Sequence, residues 1–277
     1  MSRIWQLGSH LFDNHDSVTY GQRALLGWDG AAGSSLSLTQ RTASGGAWRS
    51  SNPQRTSRVY VASGMFMAPD EATAQAEVDS INAACTLAET TLQVTDSAGT
   101  WWARVSVSSD PTWTPNPSSL IKTFSLQLSA ADWRKLADPL ENETGLPTYT
   151  GGLTFPHTFP EVYASTRTGG TISLTNLGNE TGPVVARIDG PCTAPVITHT
   201  QTGLQVAFSS DAVLAADEFL TVDMENKLVL AGGTSPRSGW VIDRGWSGFV
   251  PGLNTWTFGA DLASLAQLTI TAWPARL

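Results

Sequence analysis

The chain has 277 residues, 16 of them basic and 24 acidic, for a net charge of −8. Charged residues make up 14%, against roughly 25% in ordinary soluble domains, and Gly, Ser, Thr and Pro fill the difference. That composition excludes a charge-rich helical architecture, the acidic balance excludes a general nucleic-acid binder, and no apolar run approaches the ~20 residues that span a bilayer as a helix.

Residues 1–10 lack a basic and then apolar leader pattern, so no signal peptide is expected there. Residues 4–28 read as irregular strands. Gly30 to Arg58 reads as a long loop or extended hairpin, rich in Gly, Ser and Thr and without an acidic residue. A loop of that length is either a solvated mobile hairpin or a basic arm that docks on an acidic neighbour. Residues 58–62 form a short strand.

Ala68-Pro69-Asp70-Glu71 opens the one expected helix, with Pro in the first turn and two acids matching the helix dipole. Its apolar stripe is Ala74, Val78, Ile81, Cys85 and Ala88, which leaves Glu77, Asp79 and Glu89 facing water. Strands follow at 91–95 and 101–107, joined by Asp96-Ser97-Ala98-Gly99. Pro111, Pro115 and Pro117 interrupt the second. The next strand, 121–128, points Phe124, Leu126 and Leu128 one way and Ile121 the other.

From residue 140 the pattern fades into a Pro- and Gly-rich stretch. The expected organisation is a domain over 1–140, a linker over 141–160 and a domain over 161–277. Each side of residue 160 carries a net charge of −4. The last part holds eight short strands, at 171–175, 184–188, 195–200, 204–208, 219–223, 227–230, 254–258 and 267–271, punctuated by Gly, Pro, Asn or Asp. No helix is expected among them, which reads as a β-sandwich.

Chemistry finds little foothold. Cys85 and Cys192 form neither a zinc motif nor a disulfide framework and read as buried or partly buried free thiols. His10 and His15 with Asp13 and Asp16 are the one dense polar cluster, short of the ligands a zinc ion needs. Asp217 with Glu218, and Glu141 with Glu143, are carboxylate pairs that nothing singles out as a glycosidase pair. No nucleophile, phosphate-loop or dinucleotide motif occurs. No enzyme activity, cofactor or metal is therefore expected. Asn-Glu-Thr-Gly occurs at 142–145 and at 179–182, and both copies read as turns. Eleven Trp residues read as core or subunit contacts, with Trp240 and Trp246 as candidates for a sugar platform.

The order of short motifs resembles the distal tail proteins of long, non-contractile-tailed phages, the Dit-like minor tail proteins, in particular those of actinobacterial phages. The residues that carry the resemblance are Gly151 to Pro160, Thr175-Asn176-Leu177-Gly178-Asn179 and Ile188-Asp189-Gly190-Pro191. They continue with Leu220 to Asp223, Arg244-Gly245-Trp246, Pro251-Gly252-Leu253-Asn254 and Leu268 to Trp273. Ala131-Asp132-Trp133-Arg134-Lys135 matches more loosely, because Trp133 stands where relatives carry Pro.

The resemblance implies a mainly β fold: an N-terminal tail-tube-like domain with one helix, then a galectin-like β-sandwich. It also implies a virion protein at the distal tail tip, forming a homo-hexameric ring that joins tail tube to tip around the DNA channel. Its partners would be five further copies, the tail tube protein, the tail tip or hub protein and the tape measure protein. No specific nucleic-acid binding is implied. A closed ring needs two different complementary patches on each subunit. Candidate contacts are Arg41, Arg49, Arg55 and Arg58 on the basic arm and Glu77 and Asp79 on the helix. The alternative is a carbohydrate- or receptor-binding adaptor.

Overall fold

The computed structural model describes residues 3–15, 17–40, 48–50, 53–86, 88–150, 166–261 and 265–277. The chain is mainly β, with a single α-helix among these residues. It divides into two units, Met1–Ala137 with Leu277, and Asp138–Arg276.

In the first unit the main strands are β1 (Ile4–Leu7), β2 (His10–Leu11), β3 (Thr19–Leu26), β4 (Arg58–Met67), β5 (Thr90–Asp96), β6 (Gly99–Thr114) and β7 (Ile121–Ala130). They pair antiparallel in the order β2-β1-β5-β6-β7-β4-β3. The period-2 pattern explains the two faces. Phe124, Leu126 and Leu128 of β7 are buried with Tyr60, Ala62 and Phe66 of β4, and Ile121 lies on the opposite face, as the alternation requires. The strand 58–62 of the sequence extends to Met67. β6 passes through Pro111, with a register shift against β7 between Ser109 and Thr112, where a missing N–H is tolerated. The arm is an extended hairpin where it is described. Ser34–Ser35 pairs with Gln54–Arg55, and Leu38–Gln40 pairs with Trp48–Ser50.

Helix α1 (Glu71–Ala84) is capped by Asp70, whose carboxylate accepts from the Thr73 amide at 2.8 Å. Pro69 therefore precedes the cap instead of occupying the first turn. The buried positions are Ala74, Glu77, Ile81 and Ala84. Val78 and Cys85 flank this stripe, and Ala88 lies beyond the helix and is exposed. The helix is thus turned by about one position from the expected phase. Glu77 finds polar partners inside, so burying it costs less than an unpaired carboxylate would. Ile81 is fully buried, and Ile81→Ala would cost about 2–5 kcal/mol.

The second unit is a two-sheet sandwich. Its strands are β8 (Leu140–Gly145), β9 (Thr171–Asn176), β10 (Val184–Asp189), β11 (Cys192–His199), β12 (Gln205–Phe208), β13 (Phe219–Asp223), β14 (Leu228–Ala231), β15 (Val241–Arg244), β16 (Gly252–Asp261) and β17 (Gln267–Ala272). One sheet runs β8-β17-β10-β13-β14, and the other runs β9-β16-β11-β12-β15. Val184, Ile188, Leu220, Leu268 and Ile270 of the first sheet share a core with Ile172, Ile197, Phe208, Trp256 and Phe258 of the second. All eight expected strands are present.

β8 falls where the sequence suggests a linker and, at 142–145, a turn. Its mostly exposed, polar Leu-Glu-Asn-Glu-Thr-Gly reads as a loop, yet it pairs with β17 from Leu140↔Ala272 to Gly145↔Gln267. An edge strand tolerates polar side chains on both faces because its stability comes from the ladder. Further along the expected linker, Thr148–Thr150 pairs with Thr166–Thr168, and 151–160 lie outside the described residues.

Candidate functional site

The first unit presents a sheet face made without charge. Along β4 the outward positions are Val59, Val61, Ser63, Met65 and Met67. Opposite them on β7 stand Ser129, Gln127, Ser125, Thr123 and Ile121. β3 adds Thr19, Ala24 and Leu26 and has no further neighbour in the sheet order among the described residues. Leu26 is 63% exposed, Val59 46%, Met65 44% and Met67 53%. Isolated exposed apolar residues are ordinary, but a contiguous set on one sheet marks a contact surface. The face has a depression of about 280 Å³ bordered by Gln22, Ala24, Ser63, Met65 and Phe124, with Arg23 as the one charged residue in its lining. Gly64 permits it: a Cβ there would stand 3.1 Å from Phe124 Cζ and 3.2 Å from the Gln22 carbonyl oxygen.

The candidate contact residues separate into different environments. Arg55 is exposed, donates to the Ala32 carbonyl at 3.2 Å and has its guanidinium 5.9 Å from the Trp133 ring centre. Asp79 is exposed and accepts from Gln75 at 2.9 Å. Arg58 and Glu77 are not surface groups. Arg58 is 4% exposed because it faces inward on β4 and donates to the Gly30 carbonyl at 2.8 Å. Glu77 is 6% exposed and accepts from the Tyr20 hydroxyl, with His15 Nε2 at 3.2 Å. Neither can reach a neighbour, because each is already used inside. Arg41 and the side chain of Arg49 lie outside the described residues.

The polar cluster expected from sequence proximity is also redistributed. Asp13 pairs with Arg23 at 2.8 Å, and the backbone amide of Asn14 and that cation hold its carboxyl below the usual range. His10 and His15 turn instead to Glu77, more than sixty positions away. Asp16 lies outside the described residues. Among the described residues no group of three or more His, Cys, Asp or Glu is arranged to hold a metal ion, and no helix is long and apolar enough to cross a membrane.

In the second unit, four of the motif residues, Asn176, Gly190, Gly245 and Asn254, serve turns and close backbone approaches. Asn176 donates to the Phe249 carbonyl at 2.7 Å and to the Glu180 carbonyl at 3.0 Å. Asn254 donates to the carbonyls of Val250 and Gly252 and accepts from the Val250 amide. Gly190 and Gly245 lie so close to the Ala215 and Gln205 backbones that no Cβ fits. The four carboxylates considered above do not form a pair: Glu218 caps the Ala215 amide at 2.9 Å, and Glu141 accepts from Thr271 at 3.0 Å. Trp240 and Trp246 are half-buried against the core. Trp240 edges a depression of about 320 Å³ with Asp217 and Arg237, and the Arg237 guanidinium stands 5.2 Å from its ring centre.

The fold matches solved structures. The Dit protein of phage SPP1, described as a paradigm of the hub adsorption apparatus in phages infecting Gram-positive bacteria, superposes with a TM-score of 0.62 at 8% identity over 98% of each chain. The chain has the Dit fold. A chain of the phage P2 baseplate in its activated, calcium-containing conformation superposes with a TM-score of 0.50 at 12% identity, again over 98% of both chains. No protein-family model and no curated protein matches the sequence. At such identities it is the fold that is shared. Neither the uncharged face nor the burial of Glu77 was signalled by any one segment, since both arise from strands and a helix brought together from distant positions.

Proposed function

We propose that this protein is a structural component of a phage tail, forming a ring at the distal end that joins the tail tube to the tail tip around the DNA channel. The full-length match to the Dit fold carries this reading. The uncharged sheet face and the free strand β3 supply the kind of surface that subunit association buries. The overall negative charge lets DNA pass without holding its phosphates. Within this reading the exposed Arg55 of one copy and the exposed Asp79 of another are a complementary pair, with Arg41 and Arg49 adding charge to the same arm. Other partners are the tail tube and the tail tip or hub proteins, and the site of action is the virion tail.

The test is light scattering with negative-stain imaging of the purified chain, alone and with its tail tube partner. A particle of six times the 29.4 kDa chain mass, with a central hole, is expected. A chain that stays monomeric in both samples overturns the ring.

A further inference from the structure

Five polar side chains, His10, His15, Tyr20, Glu77 and Ser80, meet where α1 crosses the N-terminal hairpin. His10 and Glu77 are nearly inaccessible, at 4% and 6% side-chain exposure, and His15 is at 33%. Donor–acceptor matching fixes the protons. The Asp13 carbonyl, 2.8 Å from His15 Nδ1, can only accept, so Nδ1 carries a proton. His15 Nε2 lies 3.2 Å from a Glu77 oxygen, so one proton stands between the ring and the carboxyl. Tyr20 gives its hydroxyl proton to the other Glu77 oxygen. Its own oxygen then accepts from His10 Nε2 at 3.1 Å. His10 Nδ1, left without a proton, accepts from the Ser80 hydroxyl at 2.9 Å. With His10 neutral, each of these contacts is satisfied.

We propose that this cluster is an acid-released latch. With His10 neutral it clasps α1 to the N-terminal hairpin. A proton added to His10 Nδ1 obliges the Ser80 hydroxyl to turn from donor to acceptor, puts a charge on a ring whose side chain is only 4% exposed, and loosens α1.

The charged and titratable groups around His10 among the described residues are few. Helix α1 contributes Glu77, the loop after β2 contributes Asp13 and His15, and β3 contributes Tyr20 and Arg23. Asp13 is engaged by Arg23 at 2.8 Å, and the floor under His10 is the uncharged ring of Phe12, at 4.5 Å between centres. Burial holds His10 below its ordinary value; Glu77 opposes this and His15 reinforces it. The detached form therefore binds the proton first. The latch's stabilisation is full above about pH 6.5 and is lost as the pH falls from there through the folded-state value.

The experiment is hydrogen–deuterium exchange of the full chain between pH 4.5 and 7.5, corrected for intrinsic exchange rates. Protection over 71–84 should fall by up to about tenfold per pH unit below about 6.5, while 121–130 keeps its protection. His10→Gln retains an N–H donor toward Tyr20 and cannot titrate, so its α1 protection should be flat over the same range. A flat wild-type profile, or an equal acid loss in the variant, overturns the latch. Should the variant fail to fold, nitrogen-15 spectra of the wild-type imidazoles decide. At pH 7.5 His10 should be the neutral Nε2–H tautomer, and an Nδ1–H tautomer or a cation there overturns the proposal.

Discussion

His199 Nε2 lies 3.0 Å from Asn254 Oδ1, and both residues are completely buried. The imidazole is held at its other end by the Thr202 hydroxyl at 2.8 Å and lies against Trp256, 5.0 Å between ring centres. Asn254 also ties down the 250–252 turn, so one amide joins β11, β16 and the turn between β15 and β16. Asn254→Ala would leave the Val250 and Gly252 carbonyls and His199 without their partner. The expected loss is about 2–4 kcal/mol, read as a lower urea midpoint with an unchanged denaturant slope. A loss under about 1 kcal/mol would show that water replaces the amide.

The same pair gives the second unit its own acid sensitivity. Burial holds His199 below its ordinary value of 6.5, and the bond to Asn254 opposes this only in part. The contribution is complete above pH 6.5 and fades as the pH drops through the folded-state value. Urea midpoints reported by Trp fluorescence should fall from pH 7.5 to pH 5, and His199→Gln should flatten the part that belongs to the sandwich.

Gly245 has no room for a side chain. A Cβ would stand 2.4 Å from the Gln205 nitrogen and 2.6 Å from its oxygen, both backbone atoms. Gly245→Ala must push β12 away from β15, at about 3 kcal/mol. Thermal unfolding would register this as a clear drop in Tm, and an unchanged Tm would mean that the two strands separate freely.

The two described arginines of the arm should behave oppositely. Arg58→Ser removes a buried cation bonded to the Gly30 carbonyl and should cost the fold about 2 kcal/mol. Arg55→Ser should leave Tm within about 1 °C, since surface changes are small, and should weaken ring formation in light scattering. A normal ring from Arg55→Ser removes that residue from the proposed contact without touching the fold assignment.

The two thiols should differ in reactivity. Cys192 is 2% exposed and its thiol is pushed up to about 11 by burial. Cys85, at the end of α1, is half-buried and also raised by burial. At pH 8 the first is about one part in a thousand thiolate. Limited alkylation should therefore give a single adduct at Cys85, located by peptide mass spectrometry, with Cys192 labelled only after denaturation. Equal labelling of the native chain would contradict the burial of β11.

Much of the fold was legible in the sequence because period-2 alternation survives in strands such as 121–130 and 184–189, where one face must be buried. The α1 phase was not legible. Judged by hydrophobicity, Glu77 belongs in water, and only His10, His15 and Tyr20, supplied from 57 or more positions away, make its burial tolerable. Arg58 was misplaced for the same reason: its strand alternation points it inward, while its charge and the basic arm before it suggest the surface. β8 was missed because an edge strand needs a ladder partner and little hydrophobicity, and its partner, β17, lies at the far end of the chain.

By itself, then, the sequence determined the β-rich composition, the alternating strands, the helix start at Pro69-Asp70-Glu71 and the Gly, Pro, Asn and Asp breaks between strands, because each depends on local geometry that a few neighbouring residues dictate. The tertiary structure alone decided which charges are spent inside, which sheet face stays bare and which strand closes the sandwich. Those outcomes depend on donors and acceptors from distant segments meeting away from water, where an unpaired charge is too costly to remain and a paired one is held in place.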